Sequence, residues 1–214
     1  EVVRLPVRLS PEERDRHDHL SRQVREYLLT RWPIFPGYAW RHLCRDADQD
    51  PGARRALEAD YARKEIEEQA QDKFRVLAEL FRRHAGARVL VFTGSNAMAR
   101  EVTLRFQVPC LLHGCRRDER RRLLEEFRSG RFPVLVANRV LDEGRDVPEA
   151  KVAVVLGGLA SARQAKQRLG RILRKTGEQP AVLYEVSCVD TRDEARARKR
   201  RRCDAYLGHR LGYL

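Results

Sequence analysis

Arg171 and Arg174 stand three residues apart in the run Gln167-Arg168-Leu169-Gly170-Arg171-Ile172-Leu173-Arg174. On a helix that spacing projects both guanidiniums from one face, while Leu169, Ile172 and Leu173 can face a core. Two arginines aimed the same way need an anionic partner. A nucleoside triphosphate held by another domain would supply it, because planar guanidiniums match phosphate oxygens bidentately and neutralise charge that develops in phosphoryl transfer.

A second constellation precedes this helix. Asp142-Glu143-Gly144-Arg145-Asp146-Val147-Pro148 is an acidic turn in which Gly144 lets backbone approach a ligand and Asp146 can accept a ribose hydroxyl. Alone it also fits an ordinary surface turn, and its place ahead of the arginine helix is what singles it out. The sequence holds no G-x-x-x-x-G-K-[ST] phosphate loop. Asp193-Glu194-Ala195-Arg196 is set aside as a magnesium-binding box, since such a box should follow directly on a buried strand and Asp190-Thr191-Arg192 intervenes. The chain by itself is therefore not expected to hydrolyse ATP.

The elements that must position these residues follow from hydrophobic patterning. Arg88–Phe92, Cys110–Leu112, Val134–Ala137, Val152–Leu156 and Ala181–Val186 are short, nearly continuous apolar runs separated by helical stretches such as Arg117–Arg128. This alternation predicts an α/β fold, a parallel sheet with helices on both faces, preceded by a mostly helical segment. Ligands of such sheets gather at the carboxyl ends of strands. There the chain places Thr93 to Ser95, His113-Gly114, Asn138-Arg139 and Gly157-Gly158.

Ahead of the sheet, Ser10-Pro11-Glu12-Glu13 is a helix start, and a helix is expected to about Leu29. Trp32 to Trp40 is rich in turn residues and aromatics, which either pack over neighbouring helices or form a platform on which bases stack beside Arg31 and Arg41. From Pro51 to His84 the pattern is helical, as two helices or as one broken around Gln69 to Asp72. The last segment is basic between Arg192 and Arg202 and reads as a helix on a phosphate backbone or as a solvated charge run.

The formal net charge of +13 over 214 residues, with arginine far outnumbering lysine, points first to nucleic acid. The five cysteines are scattered, without C-x-x-C or a nearby histidine, so neither a disulfide framework nor a metal site is expected. No apolar run is long enough to span a bilayer, and the start lacks a signal-peptide layout. An intracellular, cytoplasmic or nucleoid-associated setting is expected, with no membrane partner. The chain opens on Glu1 in mid-pattern, so a longer parent polypeptide is expected.

Together these motifs resemble the second RecA-like domain of superfamily-two helicases, and more closely the XPB family of DNA-repair helicases and translocases. Val89–Gly94 is similar to motif IV, Val134–Pro148 to motif V and Gln167–Arg174 to motif VI. The XPB likeness rests on Val140-Leu141-Asp142-Glu143-Gly144, on Ser161-Ala162-Arg163 leading into the arginine helix, and on Ala181-Val182-Leu183-Tyr184-Glu185 before the basic tail. It covers residues 88–202, and the helical first part more loosely resembles the family's thumb-bearing segment.

The resemblance implies residues 1–86 as a linker strand and helical thumb-like region, 87–190 as the second RecA-like domain and 191–214 as a basic tail helix. It implies Arg171 and Arg174 as arginine fingers and Gln167 as the group that orients the γ-phosphate or its attacking water. Glu143, Gly144 and Asp146 would couple nucleotide to DNA. Thr93, Ser95, His113, Gly114, Arg120, Asn138 and Arg139 would line the phosphate track of one DNA strand. ATP and Mg2+ would be bound mainly by a first RecA-like domain of the same full-length protein, and a nuclease or repair protein would dock on the thumb. Two alternatives belong to other classes: a stand-alone basic module that docks DNA or protein, and a helicase domain acting on RNA.

Overall fold

The computed structural model of the chain describes residues 1–112, 114–138, 150–157, 181–201 and 210–212. In chain order these form β1 (Val2–Val7), α1 (Pro11–Arg31), α2 (Trp40–Asp46), α3 (Pro51–Glu68), α4 (Gln71–Arg83), β2 (Val89–Thr93) and α5 (Asn96–Phe106). Then come β3 (Cys110–Leu111), α6 (Arg117–Ser129), β4 (Val134–Asn138), β5 (Val152–Val155), β6 (Val182–Cys188), α7 (Arg192–Arg200) and β7 (Arg210–Leu211). Two compact units result, one of Glu1–Arg8 with Gln71–Leu214 and one of Leu9–Ala70.

All five apolar runs become strands of one sheet, whose seven described strands lie in the order β3-β4-β2-β5-β6-β1-β7. Every pairing is parallel. The sheet is covered on both faces, which is why its central strands are apolar without alternation: β2 and β5 are buried at every position. On one face Leu90, Phe92, Leu135, Ala137, Ala153, Val155 and Leu183 pack with Leu124 and Phe127 of α6. The opposite face carries α4, whose His84 Nε2 lies 2.9 Å from the Tyr184 hydroxyl, and α5, whose Phe106 meets Phe81 edge-on at 5.1 Å.

β1 is the element whose place the sequence left open. It lies in the sheet beside β6, from Val2 against Leu183 to Val7 against Cys188. With β7 on its other side, its residues Val2, Val3, Leu5 and Val7 are all buried. The sheet unit thus takes in β1 and α4, both of which precede residue 87 in the chain.

In the Leu9–Ala70 unit, Ser10 and Glu13 form the capping box that starts α1, and Asp50 caps α3 by accepting from the N–H groups of Gly52 and Ala53. α3 ends at Glu68 and α4 begins at Gln71, so the long helical pattern resolves into two helices. The small core of this unit gathers Leu43, Ala47, Ala53 and Ala56 under Tyr27, Tyr38 and Leu57. His17 Nε2 meets Glu67 Oε1 at 3.1 Å, both buried, so α1 and α3 are held in part by a polar contact. Among the described residues no helix is long and apolar enough to cross a membrane.

Candidate functional site

The carboxyl ends of β2, β4 and β5 meet at one edge of the sheet. Thr93, the last residue of β2, is 2% exposed and its hydroxyl donates to the Ser95 carbonyl at 3.2 Å. Ser95 is the N-cap of α5, its hydroxyl accepting from the Met98 N–H at 3.2 Å. Asn138, ending β4, is 7% exposed and donates through Nδ2 to Asn96 Oδ1 at 2.8 Å. Its own Oδ1 is buried with no partner among the described residues. Just past the end of β5, a Cβ on Gly157 would stand 3.4 Å from the Gly94 nitrogen, in ordinary contact with the backbone of the β2 exit.

Gly114 follows β3 at φ +88°, a left-handed conformation that a side chain would strain, and lies exposed. It leads into α6, whose N-cap Arg116 makes no side-chain cap. Arg120, one turn into α6, is half-buried, while Arg116, Arg117, Arg121 and Arg122 are exposed. Thr93, Ser95 and Asn138 are therefore brought together, with Gly114 on the adjoining β3–α6 connection and Arg120 in the first turn of α6. Arg171, Arg174, Gln167, Glu143, Gly144, Asp146, His113 and Arg139 lie outside the described residues.

Two buried charge clusters were not anticipated from the sequence. Lys73, in the first turn of α4, is fully buried, and its Nζ donates to Asp193 Oδ2 at 2.6 Å and to the Leu156 carbonyl at 3.1 Å. The same Asp193 oxygen accepts from the Cys188 N–H at 3.1 Å. Burial alone would raise the Asp193 carboxyl, but the Lys73 charge and hydrogen bond, the Cys188 N–H and Arg200 hold it below its ordinary value. The pair ties α4, the ends of β5 and β6, and α7 into one knot at the sheet edge from which the site residues emerge. Asp193 is thus spent on structure.

The second cluster turns part of the basic tail inward. Arg200 Nε lies 3.0 Å from Glu185 Oε1 and Arg201 Nη1 2.6 Å from Glu185 Oε2, on a carboxylate that is fully buried. Arg192, Arg198 and Lys199 of the same helix stay exposed. Arg200 and Arg201 thus belong neither to a solvated charge run nor to a surface for phosphate. Glu185 stands two residues from Leu183 on β6, whose positions from Leu183 on are all buried, and the sequence gives no sign that α7 supplies its partners.

The aromatic segment of the Leu9–Ala70 unit divides in the same way. Tyr38 donates to Asp46 Oδ2 at 2.9 Å and lies tilted against His42 at 5.5 Å, which meets the Phe35 ring at 4.9 Å. Arg31 is engaged by Asp50 and the Tyr27 hydroxyl. Trp32 and Ile34 instead face solvent, 58% and 75% exposed, with Phe35 and Trp40 near half-exposed. Among the described residues no group of His, Cys, Asp or Glu is placed to hold a metal ion.

The chain is similar to known proteins over most of its length. Residues 72–176 match the family described as the helicase conserved C-terminal domain. The chain is 36% identical over 201 residues to the DNA 3'-5' translocase XPB2 of Sulfurisphaera tokodaii, covering 94% of this chain and 46% of that protein. It is 36% identical over 139 residues to the DNA 3'-5' helicase XPB of Kineococcus radiotolerans, covering 64% of this chain and 25% of that protein. The chain thus spans less than half the length of these relatives. In fold it is similar to the Sulfolobus solfataricus SWI2/SNF2 ATPase C-terminal domain, with a TM-score of 0.60 and 10% identity, over 92% of this chain and 84% of that one.

Proposed function

Since the chain carries a helicase conserved C-terminal domain and has XPB- and Rad25-type DNA 3'-5' helicases as homologues over most of its length, we propose that it is the C-terminal motor half of an ATP-dependent DNA helicase or translocase acting in DNA repair inside the cell. ATP and Mg2+ bind mainly to a first RecA-like domain of the same full-length protein. Arg171 and Arg174 close on the triphosphate as arginine fingers, and Gln167 orients the γ-phosphate or its attacking water. Glu143, Gly144 and Asp146 transmit the nucleotide state to the DNA track formed by Thr93, Ser95, His113, Gly114, Arg120, Asn138 and Arg139. Closure and reopening of the interdomain cleft then shift the grip along the strand.

The observation that carries this reading is the paired Arg171 and Arg174 in a sequence that has no phosphate loop of its own. The sheet edge supports it: the described track residues cluster at the carboxyl ends of strands, where a nucleic-acid backbone has access to helix N-termini. The test is ATP turnover by the full-length protein with and without DNA. Turnover that rises with DNA, and is absent from the 214-residue chain alone, supports the motor. Turnover indifferent to DNA sinks it in favour of a docking module, and stimulation by RNA alone favours an RNA helicase.

The exposed rings of the Leu9–Ala70 unit are proposed to grip single-stranded DNA, since bases of any sequence stack on aromatic faces. Trp32→Ala combined with Phe35→Ala in the full-length protein is expected to weaken single-strand binding about tenfold. Unchanged affinity in a titration at fixed salt would reassign this surface to a nuclease or repair protein partner.

A further inference from the structure

Lys73 holds a backbone carbonyl at the point where one strand leaves the sheet. β5 pairs with β6 from Val152 against Val182 to Val155 against Glu185, while β6 runs on beside β1 as far as Cys188. The Leu156 carbonyl lies one residue past that ladder, and the Lys73 ammonium donates to it at 3.1 Å. The Leu156 N–H donates to the Phe92 carbonyl of β2 at 2.8 Å. Leu156 is thus held from two sides, by a strand and by a side chain of α4.

What Leu156 holds in turn is the β2 exit. Phe92 directly precedes Thr93, whose hydroxyl donates to the Ser95 carbonyl, and Gly157 directly follows Leu156 and packs on the backbone of Gly94. The two exits therefore lie side by side, and a shift of Leu156 moves both.

The choice of side chains is the second observation. Lys73 is fully buried and meets Asp193 at 2.6 Å, on a side chain that is itself 2% exposed. A well-packed apolar pair of similar volume is often as stable as a buried ion pair or more so, and stability alone therefore does not account for these two residues. An apolar pair cannot donate to the Leu156 carbonyl. Asp193 also accepts from the Cys188 N–H at 3.1 Å, so the end of β6 aims the ammonium.

We infer that Lys73 is a positioning residue of the DNA grip: through Leu156 it sets the β5 exit against β2, and with it the Thr93–Ser95 corner of the track. This rests on the DNA-motor reading. Being fully buried, Lys73 acts through Leu156 and makes no contact with the strand.

The experiment follows ATP turnover by the full-length protein across a titration of single-stranded DNA at one salt concentration, at a temperature where circular dichroism shows each variant folded. Lys73→Met with Asp193→Leu removes the donor to Leu156 and leaves no lone charge. The DNA concentration for half-maximal stimulation should rise about tenfold, the scale of one lost hydrogen bond, with maximal turnover and the ATP KM near wild type. Lys73→Met with Asp193→Asn keeps an acceptor for the Cys188 N–H, carries the same expectation and serves if the first double variant does not fold. Asp193→Asn alone keeps Lys73 on Leu156, so it should melt lower than wild type yet need no more DNA. A merely structural pair predicts a different pattern, in which maximal turnover falls with the folded fraction and the DNA requirement stays constant. A wild-type DNA requirement in the double variant overturns the inference, as does an equal rise in Asp193→Asn. Wild-type turnover that does not respond to DNA overturns the motor reading itself, and the inference with it.

Discussion

Arg171→Ala or Arg174→Ala in the full-length protein is expected to abolish DNA-stimulated ATP hydrolysis while leaving DNA binding near wild type. An arginine that neutralises charge on a transferring phosphoryl group contributes about 10³- to 10⁵-fold to turnover, because it acts only where charge develops. The loss should fall on kcat and less on the ATP KM, as for an interaction made chiefly in the transition state. Lysine should not rescue either position, since an ammonium cannot reproduce the bidentate planar fork. Wild-type turnover in either alanine variant would remove that arginine from the finger assignment. For this, Arg171 and Arg174 need only share a face, as helical spacing of three residues provides, in a sequence without a phosphate loop of its own.

The second large effect concerns stability. Lys73→Met should destabilise the sheet unit by about 3–5 kcal/mol, the usual cost of removing one partner from a buried ion pair. Asp193, 2% exposed at the side chain, would then keep as close contacts the longer pairing with Arg196 at 3.9 Å and the Cys188 N–H, and the Leu156 carbonyl would lose its Lys73 donor. Replacing both, as Lys73→Met with Asp193→Leu, should cost less than the sum of the singles, since no uncompensated charge is left. Urea denaturation of the four proteins reads this cycle, and additive losses would show that the two groups act separately.

The same pair sets an acid limit. Asp193 is held below the ordinary carboxylate value in the folded chain, so its contribution is present above the unfolded value and is lost as pH falls through the folded one. His84 acts in the same direction: burial, aided by the Arg83 charge, favours its neutral ring, so folding opposes its protonation as pH drops below the usual histidine range. Melting temperature should therefore fall on acidification, first in the histidine range and again in the carboxylate range. Asp193→Asn should flatten the lower step and leave the upper one, and an unaltered lower step would assign it to other carboxylates.

How far the sequence reaches is best seen at single elements. Ser10-Pro11-Glu12-Glu13 named the start of α1 because a capping box is local chemistry, complete within four residues. The strands β2 and β5 were legible as continuous apolar runs because both faces of a parallel sheet are covered. Thr93 and Asn138 were found because they end strands and Ser95 because it follows one, yet their burial and their local hydrogen bonds were not. Asn96 went unnoticed since a polar residue opening a helix has no periodic signature. Its partner Asn138 lies 42 residues away.

What the sequence by itself determined is the alternation of strand and helix, the helix starts and the family they resemble, all of which depend on neighbours within a turn or two. The tertiary structure alone decided which strands adjoin, so that β1 closes on β6 across most of the chain's length. It alone brought Lys73 to Asp193 over a separation of 120 residues, and turned Arg200 and Arg201 from a basic tail onto Glu185. The physical reason is that a charge in a sequence reads as solvated by default, and only the packing of distant elements reveals the few that are buried because a partner waits for them.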